Sequence, residues 1–144
     1  YEVSDWDATM NVNLRGNFII TKAVLPLMMQ EGWGRIIHVS SRGGVAGDIG
    51  TVSYSASKSA LMGMSAVLAK EYAKFNITSN VLVLGTFDTG MFNKLPDRQK
   101  NKILDKIPSK KYGSISDVFN AINFIIKSDY VTSSVINVDG GIGE

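Results

Sequence analysis

The sequence predicts an α/β fold built on a parallel sheet covered on both faces, and three observations carry that reading. Short apolar runs of strand length recur as "RIIHVS" (35–40), "ITSNVLVLG" (77–85) and "SSVINVDGG" (133–141), each closed by serine or glycine. Between them lie segments with helical spacing of apolar residues. Strands alternating with helices of this length imply crossover connections, hence parallel pairing with helices on both faces.

The first element reads as a long helix from about Ser4 to Gln30, in which Trp6, Met10, Leu14, Phe18 and Val24 mostly recur at helical spacing. Ser4 with Asp7 resembles a capping box, and Pro26 is placed to bend the last turn or end it early. Gly32 and Gly34 stop the helix before the first strand. A glycine-rich loop, "SRGGVAGDIGT", follows, and helical spacing resumes through Tyr54, Leu61, Met64, Leu68 and Tyr72. After the second strand the segment 86–114 mixes Gly, Pro and Lys with short apolar patches, which predicts a long excursion carrying one or two short helices. Ser116 is read as the cap of a helix through about Lys127, and the third strand completes the sheet.

Composition narrows the function. A chain of 144 residues with 44% hydrophobic content is the size of one domain. The net charge of +2, without a basic stripe, argues against a nucleic-acid partner. With no cysteine and a single histidine, His38, neither thiolate chemistry nor a histidine-rich metal site is available, so no metal is expected. The longest apolar stretches fall short of the ~20 residues that span a bilayer, and the acidic start "YEVSDWD" is unlike a signal peptide. A soluble, cytoplasmic protein is expected. The chain opens at Tyr1 on what reads as the approach to a helix, so it is expected to be a piece of a longer protein.

Chemistry is expected at the carboxyl ends of the strands. Ser41 lies just beyond the first strand, Tyr54 follows thirteen residues later on the next helix, and Lys58 lies one turn further on the same helical face. Taken singly, Tyr54 and Lys58 read as a solvated helical pair, and Ser41 as a loop hydroxyl. In combination, a serine followed after twelve residues by "YSASK" resembles the active-site signature of the short-chain dehydrogenase/reductases. "NVNLRGNF" around Asn13 is similar to the helix that carries their fourth catalytic residue. "GRIIHVSS", "AKEYAKFNITSNV", "DTGM" and "YVTSSVINVDGG" resemble the family's corresponding segments in the same order.

The resemblance implies the C-terminal part of a Rossmann-like doubly wound sheet, about three strands with flanking helices. It implies an NAD- or NADP-dependent oxidoreductase interconverting a carbonyl and a secondary alcohol, with the 3-oxoacyl thioester reductases as the nearest branch and sugar, polyol or other small-alcohol dehydrogenases sharing the same catalytic residues. Tyr54 is then the general acid in reduction and base in oxidation, Lys58 holds the nicotinamide ribose, Ser41 orients the substrate oxygen, and Asn13 helps hold a proton-relay water. Gly85 and Thr89 are implied at the cofactor, with Leu84 standing where the family has proline. The family also implies a homo-oligomer, dimer or tetramer, built on helices 4–30 and 52–75.

The chemistry suits these residue types. A carbonyl that receives hydride at carbon needs a proton at oxygen, which a phenol of ordinary pKa about 10 delivers near neutrality only when its anion is favoured. A preference of about 4 kcal/mol is what one ammonium at about 4 Å supplies at an effective dielectric of ~20.

Other features have plainer readings. Asn13 also reads as a buried polar residue satisfied by backbone, and His38 as a packed strand residue. "GGVAG" (43–47) does not fit G-x-G-x-x-G, because Val45 takes the second glycine's place, and it reads as a turn. Met91, Phe92, Leu95, Ile103 and Leu104 read either as a substrate lid or as a helix packed on the core. No glycine-rich dinucleotide turn occurs in these residues, which leaves a second function class open: a non-catalytic relative acting as a binding or assembly module.

Overall fold

A computed structural model describes residues 1–90 and 92–142. The expectation for Met91 therefore lies outside the described residues. Strands β1 (Gly34–Ser41), β2 (Ile77–Leu84) and β3 (Val135–Val138) form one parallel sheet in the order β1-β2-β3. The register aligns Ser41 with Leu84 and Leu84 with Val138, so the three carboxyl ends finish in one row. As the central strand, β2 is buried along all but its last residue, which suits the apolar Ile77, Val81, Leu82, Val83 and Leu84, while the buried polar Ser79 and Asn80 between them are hydrogen-bonded.

The long N-terminal helical segment forms, with two differences from expectation. It runs as α1 (Val3–Met10), a π-helical turn (Asn11–Arg15) and α2 (Gly16–Glu31). Ser4 does not cap it: Glu2 is the N-cap, without a side-chain bond, and its carbonyl takes the first amide hydrogens, those of Asp5 and Trp6. Of the two outcomes expected at Pro26, early termination does not occur, because the helix continues to Glu31 and closes on Gly32 at φ 63°. There the amides of Gly32 and Trp33 donate to the carbonyls of Met29 and Met28, a Schellman closure that needs the left-handed residue.

The glycine-rich loop carries the short helix α3 (Arg42–Val45) and leads to α4 (Val52–Tyr72), which packs across β2 and β1. The buried face of α4 repeats every four residues as Ser53, Ser57, Leu61, Ser65 and Ala69, all small but Leu61, which allows close approach on either side of it. Where it meets the sheet, Ser65 and Ser79 share a hydrogen bond of 2.9 Å. The excursion holds a short 3₁₀ turn and α5 (Asp97–Lys106). Helix α6 (Ile115–Lys127) is capped by Ser114, not Ser116: Ser114 and Asp117 form the reciprocal capping box.

The core at the amino ends of the strands is Leu25, Ile36 and Ile77, packed by Met28, Leu68, Tyr72 and Phe75. Arg35 ties the same end together, bonding Asp129 and the carbonyls of Ile126 and Asn76 beside the Trp33 ring.

Candidate active site

Ser41 ends β1 and is the N-cap of α3, its Oγ accepting from the Gly43 amide at 3.3 Å. The backbone turns there so tightly that a Cβ on Gly43 would lie 3.8 Å from Ser41 Oγ, 3.5 Å from Tyr54 Cε1 and 3.3 Å from Asp48 Oδ2. The Ser41 hydroxyl and the Tyr54 ring thus converge on one glycine, as the thirteen-residue spacing requires.

Tyr54 stands in the first turn of α4, 38% exposed, with Lys58 one turn on. The Lys58 ammonium lies 5.9 Å from the Tyr54 ring centroid and donates to the Val39 carbonyl at 2.9 Å. Partial burial pushes its pKa below the ordinary lysine value, because the charged form loses water. Gly44 makes this approach possible: a Cβ there would fall 2.6 Å from Lys58 Cβ.

Asn13 lies in the π-helical turn, where an inserted residue widens the helix. Its Nδ2 donates to Ser57 Oγ at 3.1 Å, and Ser57 Oγ donates to the Tyr54 carbonyl at 2.7 Å. Asn17 covers the Asn13 carbonyl at 2.7 Å. Asn13 therefore reaches Tyr54 through a relay to its backbone, and the two residues line one shallow concavity with Tyr1, Thr9 and Ser53. Ser57, three residues after Tyr54, was legible only as a small residue; its two bonds require the neighbouring helix.

A cleft of about 540 Å³ opens past the strand ends, lined by Ser41, Leu84, Gly85, Thr86, Ile103 and Lys106 among others. Leu84 continues β2 regularly, paired with Ser41 and Val138, so the missing proline leaves no irregularity. Gly85 reaches the cleft, but its lack of a side chain is enforced by Asp139, whose Cα would lie 2.6 Å from a Cβ there. Thr89 sits outside the cleft lining in an exposed turn, its amide on the Phe87 carbonyl at 2.8 Å. Thr86 and Lys106 line the cleft without having been singled out from the sequence. Nothing short of the register of Leu84 and the course of α5 would reveal them.

His38 is 2% exposed in mid-strand, and burial lowers its pKa. Its Nε2 has no hydrogen-bond partner among the described residues, which fits a packed strand residue. No described helix is long and apolar enough to cross a membrane.

For a nicotinamide dinucleotide the donor set fits at one end. A half-buried ammonium, a phenol and a serine hydroxyl, gathered at the carboxyl ends of a parallel sheet, suit a ribose and a carbonyl. The glycine pair beside them, Gly43 and Gly44 in α3, is filled by Tyr54 and Lys58 rather than left open for phosphates.

Comparison with known proteins agrees with this fold. The family model described as short chain dehydrogenase matches residues 1–100. The 3-oxoacyl-[acyl-carrier-protein] reductase FabG of Thermotoga maritima is 41% identical over 140 residues, 96% of this chain and 57% of that protein. The reductase of the same name from Aquifex aeolicus is 37% identical, with 96% and 56% covered. Nodulation protein G of a Rhizobium species is 38% identical over 141 residues, with 96% and 58% covered. The chain thus spans a little over half the length of the curated relatives it matches. With the family match covering well over half of its residues, on a three-stranded parallel sheet with flanking helices, the chain belongs to the short-chain dehydrogenase/reductase family.

Proposed function

We propose that this chain is the catalytic portion, residues 1–144, of an NAD- or NADP-dependent oxidoreductase that interconverts a carbonyl and a secondary alcohol, with a 3-oxoacyl thioester as the substrate class. The observation that carries the reading is the convergence of Ser41 Oγ and the Tyr54 ring on Gly43, with the Lys58 ammonium 5.9 Å from that ring. The named reductases among its relatives supply the substrate class.

When bound, the nicotinamide supplies the hydride. Ser41 donates to the substrate oxygen and orients the carbonyl at the mouth of the cleft. Tyr54 gives its phenolic proton to that oxygen as the carbon is reduced, and takes it back in the reverse direction. Lys58 places positive charge beside the phenolate that forms, and its three N–H donors suit a ribose diol. Asn13, through Ser57, holds the Tyr54 turn of α4 and contributes to the proton path. Gly85 lies on the cofactor edge with Thr86 beside it, and Thr89, outside the cleft lining, meets the cofactor from the exposed turn that follows. Ile103 and Leu84 give the cleft an apolar wall suited to an acyl chain.

The proposal includes a cytoplasmic homo-oligomer. Its support is the apolar surface that α2 and α4 leave exposed at Phe18, Ile20, Leu27 and Val67. A strictly monomeric sedimentation profile of the full-length protein would remove that part.

The test is turnover of an acetoacetyl thioester by the full-length protein with NADPH or NADH. Tyr54→Phe should lower kcat at least about a hundredfold while leaving the thermal midpoint in place. Retained turnover would overturn the assignment of Tyr54. A folded full-length protein that neither binds nor oxidises either nucleotide would favour the binding or assembly module instead.

A further inference from the structure

The two serines that end β1 meet different surroundings. Ser41 faces the cleft, whereas Ser40 is 2% exposed and its Oγ donates to the main-chain carbonyl of Lys58 at 3.0 Å. That carbonyl lies within α4, so the bond joins the strand to the helix at the residue that bears the ammonium.

Two neighbours reinforce the contact. A Cβ on Gly44 would lie 3.0 Å from Ser40 Oγ, 3.0 Å from the Lys58 carbonyl carbon and 2.6 Å from Lys58 Cβ. Gly44 therefore closes over both residues, and its own carbonyl accepts from Ser59 Oγ on the next turn position of α4. Consecutive residues of β1 thus hold two ends of one lysine: the Val39 carbonyl holds its ammonium at 2.9 Å and Ser40 Oγ its carbonyl. Apart from the buried Leu61, the rest of this helix face is small, Ser53, Ser57, Ser65 and Ala69, and such side chains interlock weakly against sliding or rotation.

We propose that Ser40 is a positioning residue whose hydroxyl fixes the register of α4 against β1, and so sets where the Lys58 ammonium stands relative to Tyr54 and Ser41. Without this donor the helix keeps its packing but loses the bond that selects one placement. Lys58 then samples more solvated positions, away from the Val39 carbonyl. The consequence for turnover rests on the oxidoreductase reading above; the effect on Lys58 itself does not.

The test uses the full-length protein, Ser40→Ala and Ser40→Cys. Alanine is smaller than serine and cysteine slightly larger, yet both lack a good donor, so a shift shared by the two variants reports the lost hydrogen bond and not the volume. Brief acetic anhydride pulses across a pH series, read by mass spectrometry, give the midpoint of Lys58 acetylation, with exposed Lys70 at the far end of α4 as internal reference. In both variants the Lys58 midpoint should move up by about half a pH unit or more, towards that of an ordinary lysine, while Lys70 stays fixed. With an acetoacetyl thioester, kcat should fall about tenfold with KM little changed. A Ser40→Cys protein whose Lys58 midpoint matches the parent overturns the proposal, whatever its thermal midpoint does. Should Ser40→Ala fail to fold, Ser40→Cys decides alone. Absence of turnover in the parent would count against the oxidoreductase reading, and the acetylation midpoints would still decide the role of Ser40.

Discussion

Lys58 donates from Nζ to the carbonyl oxygen of Val39 at 2.9 Å, on the edge of β1 turned away from β2. The side follows from the ladder: the Gly34 amide donates to the Asn76 carbonyl, so in this parallel pair Gly34, Ile36, His38 and Ser40 point their backbone groups at β2. Arg35, Ile37, Val39 and Ser41 point theirs the other way. The ammonium is thus held by a backbone dipole rather than by a carboxylate, and its desolvation is incompletely offset.

A stability cost at the site follows. Because the folded state lowers the Lys58 pKa below 10.5, the unfolded chain binds more protons between that lowered value and 10.5. Stability therefore rises with pH across that window, and the penalty is fully present below it. Lys58→Met should raise the thermal midpoint at pH 7 and flatten its alkaline rise, while abolishing turnover of the full-length protein. Calorimetry over a pH series checks the first two and an acetoacetyl thioester assay the third. A lowered midpoint at pH 7 would show that the bond to Val39 outweighs desolvation.

His38 sets an opposite limit, in acid. Burial holds its imidazole below 6.5, so the unfolded chain takes up a proton first as pH falls. Stability should drop on acidification through 6.5 and continue to drop until the lowered folded value is passed. His38→Asn, which does not titrate there, should remove that part of the acid slope, as measured by urea midpoints at successive pH values. An unchanged slope would assign acid sensitivity to carboxylates instead.

Helix α6 tests the corrected cap. Ser114 Oγ accepts from the Asp117 amide, and the Asp117 carboxylate, held below its usual range, accepts from the Ser114 hydroxyl at 2.7 Å and from the Ser114 amide at 2.8 Å. The Ser116 hydroxyl shares a hydrogen bond of 2.7 Å with the Ser114 hydroxyl. Ser114→Ala should lower the thermal midpoint clearly more than Ser116→Ala. The difference should vanish as pH falls through the Asp117 titration, because the protonated carboxyl no longer favours the box.

The sequence made the strands legible because each is a bounded run of β-branched and apolar residues, and it made Ser41, Tyr54 and Lys58 legible because their spacing is a motif. Ends of helices were less legible. Ser4 and Ser116 each have an acceptor-rich neighbourhood on paper, but Glu2 and Ser114 are the residues whose extended φ and ψ let the chain enter the helix. Pro26 does not mark the helix end, since a long helix loses one bond at proline and can still close on Gly32. The π-helical turn under Asn13 has no sequence period of its own, and the partners of Ser40, Ser57 and Gly44 lie on other elements, so only the packed structure reveals them.

Two glycines on or against α4 should respond in opposite directions to the same substitution. Gly63 lies within the helix, exposed, with nothing within 4 Å of a Cβ placed there. Gly63→Ala should stabilise the protein by about 0.5–1 kcal/mol, from helix propensity and the lost freedom of the unfolded chain. Gly44 offers no such room: its Cβ would meet Lys58 Cβ at 2.6 Å and the Lys58 carbonyl carbon at 3.0 Å, atoms fixed to the helix backbone. Gly44→Ala should cost about 1–3 kcal/mol by overpacking and should push Lys58 away from β1. Denaturant midpoints give the two stabilities. Turnover should be preserved in Gly63→Ala and reduced in Gly44→Ala beyond what its unfolded fraction explains. Full activity in a folded Gly44→Ala protein would mean that the close approach of the glycine turn to Lys58 serves packing alone.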